Sequence, residues 1–273
     1  MNPVTSTELC FGTRRYRVHT TEAVDLSTAL EFDGPQASHF GAPAASAKPL
    51  EAGGFVGDTR QGGSCNCEVL TLVPHCNGTH TEGVGHITRT RMGVATLATR
   101  PLYVARLISV RPLLAEATRE NSVPGAEAGD RLITRGALES GGLAAADSEA
   151  LIVRTLPNEA SKRTRDWSAG PLPAYFTREA MHAIVAAGIE HLLVDSPSID
   201  RTHDQGYLTG HRIFWGLEDE STDAPRRPEA TVTEMIFVPD STPDGLYALS
   251  LQVPPFATDA APSRPLLYPL ESV

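Results

Sequence analysis

A chain of 273 residues with 41% hydrophobic content can bury one sizeable core, so a single domain is expected over 1–273, with 1–24 open as an N-terminal extension. A net charge of −10 and a pI near 5.4, with no cluster of Lys and Arg, exclude nucleic acid as a partner. No apolar run approaches the about 20 residues of a membrane span, no apolar stretch follows basic residues near the start, and four cysteines are too few for a disulfide framework; a cytoplasmic protein with no membrane partner is expected.

In chain order, Asp25-Leu26-Ser27 reads as an early strand ending at a turn. From Phe32 to Gly54 the sequence is rich in Gly, Pro, Ala and Ser, which predicts a long loop, and loops of that length are often functional. Gly53 to Ser64, GGFVGDTRQGGS, lacks Walker spacing and a following Lys-Ser or Lys-Thr, so it is a loop and not a phosphate cradle. Cys65 and Cys67 are one residue apart, poor spacing for a zinc knuckle, and a structural role is expected for them. Glu68 to Val73, EVLTLV, predicts a strand that would hold the next segment rigidly at its carboxyl end.

That next segment, Leu72 to His86 (LVPHCNGTHTEGVGH), holds the densest set of metal-ligating residue types in the chain. Cys76, His80, Glu82 and His86 are separated by even numbers, so wherever the backbone is extended they share a face, with His75 on the other. One soft ligand, two imidazoles and a carboxylate make a seat for zinc or manganese, with one group left over as an acid or base. The alternative is a polar loop whose hydrogen bonds are satisfied. Gly78 lets the backbone approach whatever binds.

The run Gly78 to His86, GTHTEGVGH, resembles the G-T-H-x-D-x-x-x-H core of the cyclase-like metal hydrolases, the family of bacterial kynurenine formamidases and isatin hydrolases. Thr79, His80 and His86 fall in register. Two positions depart from the pattern. The family opens with a His four residues before the His of GTH, where this chain has Cys76, preceded by His75; either the thiolate replaces the imidazole or a local bulge brings His75 round. The family's Asp is Glu82, one methylene longer. A thiolate would favour zinc over manganese.

Beyond the motif, Leu102 to Val110 predicts a core strand and Pro112 to Gly129 a surface excursion. Thr134 caps a short helix, RGALES, closed by Gly141 and Gly142, and Ala150 to Thr155 is apolar enough for the middle of a sheet. Leu156 to Ala174, basic and carrying Trp167, reads as a loop that could wall a pocket, with Trp167 as an exposed lid. Thr177 caps REAMHAIVAA, ended by Gly188, with His182 as a surface or packing residue, and the strand His191 to Val194 follows; strand, helix, strand is an α/β signature. Leu246 to Val253 and Arg264 to Tyr268 are strand-like.

The same resemblance extends to Asp195–Asp200, similar to the family's D-x-P-S-x-D segment and read here as a loop fixed by its own carboxylates, to His211 and Glu234 downstream, and to the closing turn Ala261-Pro262-Ser263-Arg264. It implies an α/β fold with a mixed β-sheet or barrel-like core and outer helices, the swivelling β/β/α arrangement of the kynurenine formamidases. It implies one or two ions, Zn2+ or alternatively Mn2+, held by Cys76 (or His75), His80 and Glu82, with His211 and Glu234 completing a second position. His86 would then carry protons while water cleaves a C–N bond in a small aryl formamide or cyclic amide, an amide or lactam substrate. A metal-dependent cyclase or dehydratase, and a homologue that binds without converting, are the alternatives. The resemblance also implies a homodimer or homotetramer, and a substrate pocket that residues 32–54 help to cover, with Phe32, His39 and Phe40 as candidates for its lining and ordinary packing as the alternative for each; specificity would then sit in the loops 32–54 and 156–174.

Overall fold

The computed structural model describes residues 5–143, 147–219 and 223–273. Among these, a mixed sheet of eleven strands runs in the order Ser6–Phe11, Arg14–His19, Arg264–Ser272, Gly245–Gln252, Tyr103–Val110, Ala150–Thr155, His191–Val194, Thr231–Glu234, His80–Glu82 and Ala260–Pro262, with Val24–Asp25 pairing beside Arg264–Ser272. The four strands from Tyr103–Val110 to Thr231–Glu234 are mutually parallel, and the flanking pairs are antiparallel. Parallel neighbours need a crossover, and three helices lie in these connections: Arg135–Gly141, Arg178–Ala186 and Thr209–Trp215.

Both faces of the parallel strands are covered, which is why their sequences are apolar without alternation. Along Ala150–Thr155, Leu151 and Val153 pack with Leu138, Met181, Ile184 and Phe214 from the helices, while Ala150 and Ile152 join Leu107, Leu193, Leu249 and Leu267 in a second cluster. The helices start where the sequence signals them. Thr134 accepts from Ala137 N and Thr177 from Ala180 N, each cap contributing about 1 kcal/mol, and Gly142 closes the first helix at φ 106°.

The N-terminal hairpin is joined to the sheet through Val18, which pairs with Leu270, and Tyr16 and Val18 are buried. Glu68–Thr71 departs from expectation. Among the described residues it pairs only with Ser46–Pro49, and all four of its residues are exposed, so the apolar strand before the motif stands outside the main sheet. Its composition shows a strand, but burial depends on which partner it finds, and here that partner is the polar SAKP segment. The motif is held instead by its own short strand, His80–Glu82, inserted between Thr231–Glu234 and Ala260–Pro262.

Candidate metal centre

His80–Glu82 is antiparallel to Thr231–Glu234, with His80 directly opposite Glu234. Opposed residues on one face of such a pair are in contact, and Nε2 of His80 lies 3.4 Å from Oε2 of Glu234. On its other side His80–Glu82 pairs with Ala260–Pro262, and the carbonyl of Asp259 accepts from Gly83 N at 2.9 Å, which brings the Asp259 carboxylate to the mouth of the cluster. The chain then turns sharply at Val84–His86; a Cβ on Gly85 would meet Met92 O at 2.1 Å, so this close approach needs glycine.

Ahead of the strand, Cys76 N and Asn77 N both donate to Val73 O, and Gly78 is left-handed at φ 71°. Residues 73–78 therefore form a turn, where the alternation of faces along an extended strand does not apply. This turn swings His75 inward: its Nδ1 lies 2.9 Å from Oε2 of Glu82 and its ring stacks on His86 at 4.2 Å between centroids. Among the described residues, two groups of side chains offer ligand atoms within 4.8 Å of one another, His75 with Glu82 and His86, and His80 with Glu82 and Glu234. Glu82 belongs to both, and Cys76, although buried, to neither.

His211 joins from the helix Thr209–Trp215. Its Nε2 lies 2.8 Å from Oε1 of Glu82 and 3.8 Å from Oε1 of Glu234, and its Nδ1 lies 2.6 Å from Oδ2 of Asp200. Asp200 also accepts from Gly210 N and His211 N, satisfying the first amides of that helix. Its role thus exceeds the loop-fixing expected from sequence. Asp195 does fix a loop, accepting from Thr155 and from the buried Lys162. Glu234 Oε1 accepts from Ile199 N at 3.0 Å, which orients its carboxylate from the same loop.

Charge is concentrated here. Burial opposes ionisation of Glu82, but the neighbouring His86 and His211 rings and hydrogen bonds from His211 and His75 hold its carboxyl well below the usual range. Burial likewise opposes charging of His211, and Glu82 and Asp200 raise it well above an ordinary histidine. His75 is raised to about 9, where Glu82 and Asp259 outweigh burial, whereas burial pushes His86 down. Burial and the charge of Glu234 push the Cys76 thiol up.

Asp259 was not singled out from sequence. Its Oδ2 lies 2.8 Å from Nε2 of His75 and 3.5 Å from Nδ1 of His86, and the only signal was its place just before the closing Ala261–Arg264 turn. Residues of 156–174 wall a cavity of about 420 Å3, but Phe32, His39 and Phe40 are not in its lining. Phe40 is exposed and His39 fully buried. Trp167 lines the cavity as a buried wall packed on Ala37 and Met235, not as an exposed lid.

A divalent cation fits the cluster. Nε2 of His80 is buried without a hydrogen-bond partner, an arrangement that costs about 1–3 kcal/mol unless something accepts its lone pair or proton. Two buried carboxylates, Glu82 and Glu234, meet at the same place, and nitrogen with carboxylate oxygen is a donor set for zinc or manganese.

A family model described as "Putative cyclase" matches residues 24–201. No curated protein matches the chain by sequence. Among solved structures, the fold is similar to a predicted metal-dependent hydrolase from Bacillus stearothermophilus, at 14% identity over 90% of this chain and 98% of that one, with a TM-score of 0.58. It is similar to an isatin hydrolase bound to the product analogue thioisatinate, at 16% identity over 92% and 93% of the two chains and a TM-score of 0.59. Isatin hydrolase A from Labrenzia aggregata matches at 16% identity over 92% and 94%, with a TM-score of 0.60. At these identities the likeness is one of fold.

Proposed function

The chain belongs to the cyclase family, and from that premise we propose that it is a metal-dependent hydrolase that opens a C–N bond in a small aryl formamide or cyclic amide. The observation that carries the reading is the convergence of His80, Glu82, Glu234 and His211, with the buried Nε2 of His80 facing Glu234 but making no hydrogen bond among the described residues. These four residues would hold the principal ion, with His75 at the rim through Glu82. When bound, a divalent ion there lowers the pKa of water and polarises a substrate carbonyl.

The remaining work falls to the protein's own side chains. His86 is partly exposed and next to Glu82, and Asp259 sits against its Nδ1, which leaves Nε2 to take a proton from water and return it to the departing nitrogen. In balance, the water oxygen bonds to the carbonyl carbon, the C–N bond breaks, and the amine leaves with the proton that His86 carried. Asp200 keeps the His211 ring in one orientation. Small amides are favoured as substrates because relatives in fold include isatin hydrolases and because a cavity of about 420 Å3, lined by Thr155, Leu156 and Ser196 at the carboxyl ends of the parallel strands, is of small-molecule size.

The test is elemental analysis of the purified protein beside hydrolysis assays on isatin and on aryl formamides, for the wild type and His80→Ala. Zinc or manganese that is retained by the wild type and lost by the variant, together with turnover that requires it, is the expected result. Wild-type protein that takes up no divalent ion and turns over none of these amides would sink the reading.

A further inference from the structure

The structural role expected for Cys65 and Cys67 is not the one they have. Both are exposed and free, and among the described residues neither sulfur makes a hydrogen bond. They stand on the segment between the strands Phe55–Val56 and Glu68–Thr71, and the backbone there is pinned. Cys67 N donates to Gly57 O at 3.0 Å, and Leu50 N donates to Cys67 O at 2.8 Å. A Cβ on Gly57 would meet Cys67 O at 2.1 Å, so this close approach needs glycine. Asn66, between the two thiols, is held as well: its Oδ1 accepts from Thr59 N at 3.0 Å and from Thr59 Oγ1 at 3.1 Å. Two thiols one residue apart are thus presented to solvent on a fixed stretch of chain.

The number of donors decides which partner suits them. Among the described residues no His, Asp or Glu completes a ligand group with either cysteine. Zinc takes four ligands, so the pair alone fills half of its shell. A disulfide would draw the sulfurs to about 2.0 Å across a single residue, bending the chain at Asn66 against its bonds to Thr59. A bridging ion leaves the sulfurs two metal–sulfur bonds apart and needs no such bend. Thiolates are soft and select Cu(I), a closed-shell cation that two thiolates in line are enough to satisfy.

We propose that Cys65 and Cys67 form a binding site for a single cuprous ion, held between their two thiolates and separate from the group of His80, Glu82 and Glu234. On binding, each thiol gives its proton to solvent as its sulfur bonds to copper, so one Cu+ and two thiols yield a bis-thiolate of charge −1 and two protons, with no change of oxidation state. The site does not depend on the hydrolase reading.

The experiment is anaerobic titration of the full-length protein with cuprous ion in competition with the chromogenic chelator bathocuproine disulfonate. It compares the wild type with Cys10→Ser, Cys65→Ser, Cys67→Ser and the Cys65→Ser/Cys67→Ser double variant, with thermal melting checked for each and X-ray absorption counting the neighbours of copper. The wild type and Cys10→Ser are expected to take up one equivalent with two sulfur neighbours, in the presence of excess zinc as in its absence. Each single change at 65 or 67 should weaken it about a hundred-fold or more, and the double variant should lose it, at unchanged melting. Copper held as tightly by the double variant would belong to the His80 and Glu82 cluster or to Cys76, and would overturn the proposal. So would dependence on only one of the two cysteines, nitrogen or oxygen neighbours around the ion, displacement by zinc, or a wild type that yields all its copper to the chelator.

Discussion

Nδ1 of His211 lies 2.6 Å from Oδ2 of Asp200 while its Nε2 lies 2.8 Å from Oε1 of Glu82, so one buried ring links a loop carboxylate to the carboxylate shared by both ligand groups. Asp200 therefore sets which nitrogen of His211 faces the cluster, and it ties down the helix that carries the ring. Asp200→Asn is expected to weaken zinc about 10- to 100-fold, the usual cost of losing a carboxylate behind a ligating histidine, while the fold persists. Competition with a chelating dye measures this; unchanged affinity would show that Asp200 only caps the helix.

The turn at 73–78 leads to a choice between two neighbours. His75 reaches Glu82 and His86, and Cys76 is in neither ligand group. Cys76→Ser is expected to keep its zinc within a few-fold, His75→Ala to weaken it about ten-fold, and His80→Ala to lose it, with each affinity read by the same competition. Zinc lost with Cys76→Ser and kept with His75→Ala would give the seat to the thiolate.

His86 has Asp259 at Nδ1 and lies at the edge of the cluster. His86→Gln is expected to lower kcat by about 10^2- to 10^4-fold at unchanged zinc content, the range for removing a proton carrier. Asp259→Asn should reproduce part of that loss by freeing both rings it touches. Zinc lost from His86→Gln would instead make His86 a ligand.

How much of this could be read from the sequence follows from what is local and what is not. The caps at Thr134 and Thr177, the apolar strands and the GTH run depend on near neighbours in sequence, and each is found where its residues place it. Asp259 is remote from its partners: it meets His75 across 184 positions, a contact made only by sheet pairing. The exposure of Glu68–Thr71 was hidden for the same reason, since an apolar strand has the same composition whether or not another layer covers it. The inward swing of His75 depends on the turn closed at Val73 O, and counting odd and even positions presumed a strand there.

Away from the cluster, His191 is buried at the start of a central strand, with Nδ1 2.8 Å from Thr231 Oγ1 and its ring edge-on to Tyr103. Burial, aided by the charges of Arg100 and Arg227, pushes it down to about 4 from an ordinary 6.5. Below pH 6.5 the unfolded chain takes up a proton that the native ring refuses until about pH 4, so the stability associated with His191 is intact above pH 6.5 and is lost as pH falls from there toward 4. The full loss is on the order of 3 kcal/mol, with somewhat more than half of it reached by pH 5. Metal-loaded protein would confuse the measurement, because its ligands also take up protons in acid. Urea unfolding of the metal-free wild type and His191→Gln, each at pH 7.5 and pH 5, removes that contribution by difference: the wild type should lose about 1–2 kcal/mol more between the two pH values than the variant does. An equal loss in the two proteins would mean that His191 is protonated in the native state at pH 5, and that Thr231 and the Tyr103 ring accommodate its charge.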